Sequence, residues 1–345
     1  MRICVFSERM AEPFDEGIKN YVLHLARELA KQHQVLTLTA FGQTLPARGI
    51  RNVWGNRLLL SPSLAYHIAR FRPDLIFYVP TACATVFSFF RSRVLKLYGL
   101  GAPAAMIALQ MRSYGWLSRI MIPRLQPDVV LVQSQATLNS LREFGGQLRL
   151  LPPGIDAERF APVTPDRRLE LRARYGLDPR HYIVLHVGHL NRGRNIQSLL
   201  HLQRRPGMHV IVVGSTSTEH DIALVEELTR AGVRVIREYV PDIAEIYQLA
   251  DCYVFPVNAE TNSIDIPLSV LEAMACDLPV VTTRFGGLPV LFEGNQGFRY
   301  VDGPEQMVDA VEACKWLREA GTRAMVEPYS WPHIAQQLVA SFGAR

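Results

Sequence analysis

The chain has 345 residues, 48% of them hydrophobic and 20% charged, with a mean hydropathy of +0.06 and a formal net charge of +5. That length is too great for one typical core and suits two domains, and the lack of any apolar run of about 18 residues argues against a transmembrane helix. Cys4, Cys83, Cys252, Cys276 and Cys314 are scattered without metal-ligand spacing, which suits reduced thiols, and the early acids Glu8 and Glu12 do not suit a signal peptide, so a cytoplasmic location is expected. The charge is uneven. Residues 1–152 hold 18 Lys+Arg against 8 Asp+Glu, and residues 153–345 hold 19 against 24. A basic first half suits an anionic partner such as a lipid headgroup, a phosphorylated acceptor or a membrane surface, or simply solubilising charge. No nucleic-acid partner is expected.

In chain order, residues 2–6 read as a buried strand, Asp15-Glu16-Gly17 as a turn, and 18–31 as a helix with Val22, Leu25, Ala26 and Leu29 on one face. Further strands are expected at 35–39, 75–79 and 129–133, and another in AMIALQ, ending at Gln110. The 99–104 stretch fits GxGxxA as text, but it follows a basic helix and contains Pro103, so no dinucleotide site is read there. Residues 85–98 are apolar, aromatic and then basic. They suit a core helix with cations at its C-terminal end, the preferred reading, or a helix lying on an anionic membrane through Arg91, Arg93 and Lys96. Arg112, Tyr114, Trp116 and Arg119 extend that character and are candidate acceptor contacts.

Near residue 150 the alternation breaks at a stiff, proline-rich connector running to Pro162. It restarts with strands at 182–187, 209–213, 233–236, 252–255 and 280–283, and helices near 196–203, 219–230, 242–250 and 267–275. A last amphipathic helix follows Ser330-Trp331-Pro332. Alternating strands and helices imply parallel sheets wound on both faces, with ligands at the carboxyl ends of the strands.

Three places carry candidate chemistry. Gly17 opens a long helix whose N-terminus suits an anion, with Lys19 adding a mobile charge; a plain turn is the alternative. After the strand ending at Gly188, the turn Asn191-Arg192-Gly193-Arg194-Asn195 presents two guanidinium forks suited to a diphosphate, or a solvated basic loop. The next strand ends at Gly214, where a small residue leaves room for a ligand. In the segment 260–287, Pro267 suits the first turn of a short helix. Glu272 lies within about two turns of that start, where a carboxylate near the positive helix end can accept two hydrogen bonds from a diol such as a ribose.

These pieces together resemble the family 4 glycosyltransferases, retaining enzymes of the GT-B fold. The resemblance covers nearly the whole chain. It rests on the Gly17 turn, PPGIDAERFAP at 152–162, VGHLNRGRN at 187–195, YQLADCYVFP at 247–256, PLSVLEAMACDLPVV at 267–281 followed by RFGG, and YSWPHIAQQL at 329–338. It implies an α/β chain of two doubly wound, Rossmann-like domains facing an interdomain cleft. Residues 1–152 would bind the acceptor, 153–328 the nucleotide-sugar donor, and 329–345 would cross back to the first domain.

By the same resemblance, Glu272 matches the second of a pair of glutamates and holds the ribose. Arg194, or Arg192 if the loop is shortened, neutralises the diphosphate. Gly17, Gly188, His189 and the backbone of Ser269, Val270 and Leu271 complete the donor site; Gly214 joins it, and Lys19, Arg112 and Tyr114 form the acceptor side, on the reading of the residues alone. Three positions depart from the family. Ile264 stands where the first glutamate is expected, with Asp265 beside it as the candidate carboxylate for the donor sugar and Glu260 further off. His189 replaces an arginine. The histidine expected near the transferred sugar has no clear match, and Gln110 ends the corresponding strand.

The reaction implied is transfer of a sugar from a UDP- or GDP-linked donor to a glycan or lipid-linked hydroxyl, with retention by a front-face route. No metal or other cofactor is expected, since no DxD pair occurs and the arginines and amides would stabilise the diphosphate. The other readings are a degenerate GT-B protein that binds a nucleotide sugar or a partner without turnover, and a nucleotide-sugar 2-epimerase. A peripheral position at the inner face of a membrane goes with the basic first half.

Overall fold

Parallel strands covered on both faces must be apolar at every position, and Leu75–Tyr78 (LIFY), Val129–Val132 (VVLV) and Cys252–Phe255 (CYVF) are buried throughout. The computed structural model describes residues 1–81, 84–110, 112–259 and 262–343. Cys83 and Glu260 lie outside the described residues. The chain divides into two units, residues 1–154 with 331–345, and residues 155–330.

The first unit contains β1 (Arg2–Phe6), α1 (Gly17–Ala30), β2 (Gln34–Thr39), β3 (Ile50–Asn52), α2 (Pro62–Phe71), β4 (Leu75–Tyr78), α3 (Val86–Tyr98), β5 (Ala104–Ala108), α4 (Trp116–Met121), β6 (Val129–Val132), α5 (Gln135–Arg142) and β7 (Leu148–Leu150). Its parallel sheet has the order β3-β2-β1-β4-β5-β6-β7. The second unit contains α6 (Pro165–Arg174), β8 (Tyr182–Gly188), α7 (Leu200–Gln203), β9 (Met208–Gly214), α8 (Ile222–Arg230), β10 (Arg234–Ile236), α9 (Ile243–Leu249), β11 (Cys252–Phe255), α10 (Leu268–Ala275), β12 (Val280–Thr282), α11 (Leu288–Leu291), β13 (Phe298–Tyr300), α12 (Pro304–Cys314) and α13 (Thr322–Val326). Its sheet has the order β10-β9-β8-β11-β12-β13. Strand order reverses between β1 and β4 in one sheet and between β8 and β11 in the other, where doubly wound sheets open a crevice for ligands.

Two local expectations change, and at 85–98 the preferred reading, a core helix, agrees with the structure. The segment 196–203 begins as a 3-10 turn, Ile196–Leu199, before α7. Strand β7 lies where the connector was expected to begin. The helix at 85–98 is built into the core: Phe89, Val94 and Leu95 are buried, Arg91 donates to Glu8 at 2.8 Å, and Lys96 pairs with Asp128 at 2.6 Å. Two of its three cations therefore face carboxylates of their own unit and are not displayed for a membrane.

The last helix, α14 (Trp331–Gly343), packs against α1. The Trp331 ring meets Tyr21 edge-on with centroids 5.2 Å apart and stacks on His24 at 5.7 Å. Gly154 lets it sit there, because a Cβ at that position would fall 2.3 Å from Trp331 Cδ2. Gly154→Ala is expected to destabilise the first unit by about 1–3 kcal/mol, through overpacking against a rigid ring. Denaturant unfolding checks this, and restoration of stability in Gly154→Ala with Trp331→Leu would locate the clash.

Candidate functional site

Two loops leave the β8/β11 reversal. The one after β8 carries Gly188, His189, Arg192 and Arg194; the one after β11 carries Asp265 and leads into α10 with Ser269 and Glu272. They are tied together by Asn262, whose Nδ2 donates to the Gly193 carbonyl at 2.6 Å. Asn191 shapes the first loop, accepting from the Arg194 amide at 3.2 Å through Oδ1 and opening a 3-10 turn over Arg192–Arg194.

The two arginines differ sharply. Arg194 is buried at 7% exposure and, among the described residues, forms no ion pair and leaves Nε without a partner. Burial pushes its pKa down to about 10, so it stays cationic at neutral pH. Arg192 is half-exposed and turned toward α8, pairing with Glu227 at 2.7 Å and Asp221 at 3.7 Å. A buried cation without its own carboxylate is disfavoured unless an anion arrives, and Arg194 is the one of the pair in that condition.

On α10, Pro267 is the N-cap and not the first helical residue. The amides of Leu268 and Ser269 are the open donors that a helix start leaves. Val270 departs from expectation, because its N–H donates to the Pro267 carbonyl at 3.1 Å. Leu271, a turn further in, is buried. Ser269 Oγ accepts from Tyr253 Oη at 2.8 Å. Glu272 is held by the hydroxyl of Tyr247, 2.7 Å from Oε2, and not by the helix end alone. Burial is the main influence on its carboxyl and raises the pKa, against the Tyr247 hydrogen bond and the charge of Arg159. The tyrosines are the part the sequence reading missed. Tyr247 and Tyr253 are fully buried with ring centroids 5.8 Å apart, and each presents its hydroxyl to an α10 side chain. Tyr247 lies on α9 and Tyr253 within β11, both in apolar runs that give no local sign of where a hydroxyl will point.

The remaining donor-side expectations divide. Asp265 is buried at 2% exposure, and its carbonyl accepts from the Gly287 amide at 2.9 Å. Gly286, at φ +53°, allows this, since a Cβ there would lie 2.1 Å from the Asp265 carbonyl oxygen. Ile264 is likewise buried. Gly188 sits at the end of β8, beside Arg194, and His189 follows, its carbonyl accepting from the Asn191 amide at 3.1 Å. Gly214 does not leave room for a ligand on its open face: a Cβ there would meet Leu190 Cδ1 at 2.5 Å, so the leucine fills that space.

In the first unit, Gly17 begins α1 as expected. Lys19 is not a mobile charge; it is buried, and its Nζ donates to the carbonyls of Pro13 at 2.8 Å and Ala11 at 3.4 Å. Tyr114 turns inward, its hydroxyl donating to the Ala84 carbonyl at 2.8 Å and its ring meeting Phe144 edge-on at 4.9 Å. Arg112 is exposed and Gln110 half-buried beyond the end of β5. Sequence reading passed over Glu8 as a site residue. It lies just past β1 at the strand reversal, buried at 3% exposure, and accepts from Tyr78 Oη, Arg91 and the Thr81 amide.

Comparison with known proteins agrees with this geometry. The family described as "Glycosyltransferase Family 4" matches residues 16–159, and that described as "Glycosyl transferases group 1" matches residues 181–315. The chain is 26% identical to the sulfoquinovosyl transferase SQD2 of Arabidopsis thaliana, over 96% of this chain and 71% of that protein. It is 31% identical to the D-inositol 3-phosphate glycosyltransferase of Corynebacterium jeikeium, over 55% of this chain and 48% of that one. The chain thus spans most of one such relative and about half of the other. The crystal structure of Anabaena Alr3699/HepE in complex with UDP-glucose superposes with a TM-score of 0.80 at 17% identity, covering 99% of this chain and all of that one. Two parallel α/β units of this topology are the GT-B fold. With family matches over both units, and a buried arginine and a tyrosine-held glutamate flanking the β8/β11 reversal, the chain belongs to the family 4 glycosyltransferases.

Proposed function

We propose that the protein transfers a sugar from a UDP- or GDP-linked donor to a hydroxyl group, with retention at the anomeric carbon. The observation that carries this is Arg194, a buried cation that has no carboxylate partner among the described residues, in the loop after β8 at a strand reversal whose other loop leads into the open amides at the start of α10. A neighbour solved with UDP-glucose supports a nucleotide-sugar donor, and a relative named D-inositol 3-phosphate glycosyltransferase supports glycosyl transfer. Glu272 accepts from the ribose diol. Arg194 and the Leu268 and Ser269 amides stabilise charge developing on the leaving diphosphate, so no metal is needed for that purpose. The departing phosphate takes the acceptor proton on the face it leaves. Asp265 is the carboxylate assigned to the donor sugar, and the first unit is assigned the acceptor.

A lipid-linked acceptor at the inner face of a membrane is the acceptor class favoured here, and α4 favours it. Trp116, Leu117, Ile120 and Met121 are 75%, 51%, 50% and 39% exposed, and residues 109–126 contain Arg112, Arg119 and Arg124 but no acid. That combination suits an anionic bilayer surface. Co-sedimentation with phosphatidylglycerol vesicles is expected and should fall about tenfold or more in Trp116→Ser with Ile120→Ser, through lost apolar burial. Equal binding by the variant would remove α4 from the proposal.

Thermal shift across nucleoside diphosphates and their sugars, followed by transfer assays with and without a chelator, tests the reaction. Stabilisation by one nucleotide sugar, with chelator-resistant transfer to an acceptor, is expected. Binding without hydrolysis or transfer to any acceptor would replace this reading with a non-catalytic binder.

A further inference from the structure

Beneath Arg194 lies a second buried polar group for which the reaction just described has no role. His186, on β8 two residues before Gly188, is fully buried. Its ring lies beside Tyr253 and Phe255, with centroids 6.3 and 6.2 Å away. Nδ1 is 2.9 Å from the Val254 carbonyl, which can only accept, so the proton sits on Nδ1 and Nε2 carries a lone pair. Burial, with a further push from Arg194, brings the ring's pKa down to about 4, so it is neutral at physiological pH. Nε2 has no partner among the described residues, and neither has Arg194 Nε. His186 Nε2 and Arg194 Nη1 border one space, with no hydrogen bond between them in the free protein. A Cβ built on Gly188 would lie 3.1 Å from His186 Nε2 and 3.2 Å from Arg194 Nη1.

We infer that His186 is a positioning residue for Arg194. It keeps a neutral lone pair beside the guanidinium at the end of β8, unbonded in the free protein and open to accept from Arg194 once a diphosphate is bound, which leaves the arginine's charge whole. A carboxylate in that place would hold the arginine more firmly but would neutralise it. Neutrality is therefore the useful property; burial among the aromatic rings maintains it, helped by the Arg194 charge, while the Val254 hydrogen bond fixes the tautomer and by itself pulls the pKa the other way. Gly188 is part of the device, because any side chain there would stand between the two groups. This inference rests on the donor site proposed above.

The test measures the contribution of the phosphates alone. Calorimetry gives the affinities of UDP and uridine, and of GDP and guanosine, for the full-length protein. His186→Phe keeps the ring volume and removes the lone pair. It is expected to lower the diphosphate-to-nucleoside affinity ratio about fivefold to tenfold, as loss of one hydrogen bond to a charged group would, with nucleoside affinity unchanged. His186→Gln, which returns an acceptor, should recover most of that ratio. If His186→Phe does not fold, Gly188→Ala should lower the ratio in the same direction. An unchanged ratio, an equal loss for nucleoside and diphosphate, or no recovery with glutamine would overturn the inference. Nitrogen NMR of the histidines reads the device without any nucleotide: Nδ1 protonated, with the Nε2 signal shifting in Arg194→Met. A proton on Nε2 would overturn the inference even if nucleotide binds. Should neither nucleotide bind the unaltered protein, the donor assignment fails while the NMR result still decides the pairing.

Discussion

Glu272→Gln is expected to weaken nucleotide binding about 100-fold while leaving the free protein at least as stable at neutral pH. A ribose diol donates two hydrogen bonds to a carboxylate, each worth about 1.5–3 kcal/mol when the acceptor is charged, and an amide retains only part of that. Stability moves the other way because burial raises the Glu272 pKa above its unfolded value. A carboxyl raised in this way favours the folded state at low pH, and that contribution is lost as pH rises through the folded pKa. Glutamine removes the buried charge and with it the loss. Nucleotide binding by the unaltered protein should have the opposite slope, weakening as pH falls through the raised pKa, since a protonated carboxyl accepts poorly. Tyr247→Phe takes away a hydrogen bond that lowers this pKa, so the acid limb should move to higher pH. Calorimetry at several pH values measures both, and unchanged affinity in Glu272→Gln would place the ribose elsewhere.

Arg194→Met should reduce kcat about 100- to 1,000-fold, the usual consequence of removing one donor to a developing oxyanion. Its melting temperature should stay level or rise, since methionine replaces a buried charge that has no carboxylate among the described residues. A structural arginine would behave in the reverse manner, with lost stability and little change in turnover per folded molecule. Arg192→Met is the control. Its guanidinium is drawn outward by Glu227 and Asp221, so a small kinetic effect is expected. Equal losses in both variants would mean that the loop reorganises when substrate binds and that the free geometry does not identify the diphosphate partner.

How far the sequence could be read depended on whether a residue's role follows from its neighbours in the chain. The α10 helix, its left-handed end at Asp277 (φ +56°) and the strand after it were legible, because capping and turn residues are local signals. Doubly wound parallel sheets were legible because apolar four-residue runs alternate with helical periods. What escaped was contact at long separation. Nothing near Lys19 shows that two carbonyls will hold it, and nothing near Gly214 shows that Leu190 will fill its open side. Nor does the 85–98 helix announce that Glu8, more than 80 residues earlier in the case of Arg91, will take one of its cations. Tyr247 was the most consequential omission: an apolar context hides a hydroxyl aimed at Glu272.

The position of Phe160 has a practical consequence for exchanging halves between enzymes of this family. Phe160 meets Tyr247 edge-on at 5.6 Å, and the charge of Arg159 is felt by Glu272, so the segment after Gly154 forms part of the wall behind the Glu272 carboxylate. A chimaera joined at the end of the proline-rich stretch, after Pro162, would inherit that wall from the wrong parent. Its melting curve could look normal while its nucleotide affinity drifted. Joints between Gly154 and Ile155 and between Ser330 and Trp331 keep the wall with the glutamate it supports, and leave Trp331 with the glycine that makes room for it.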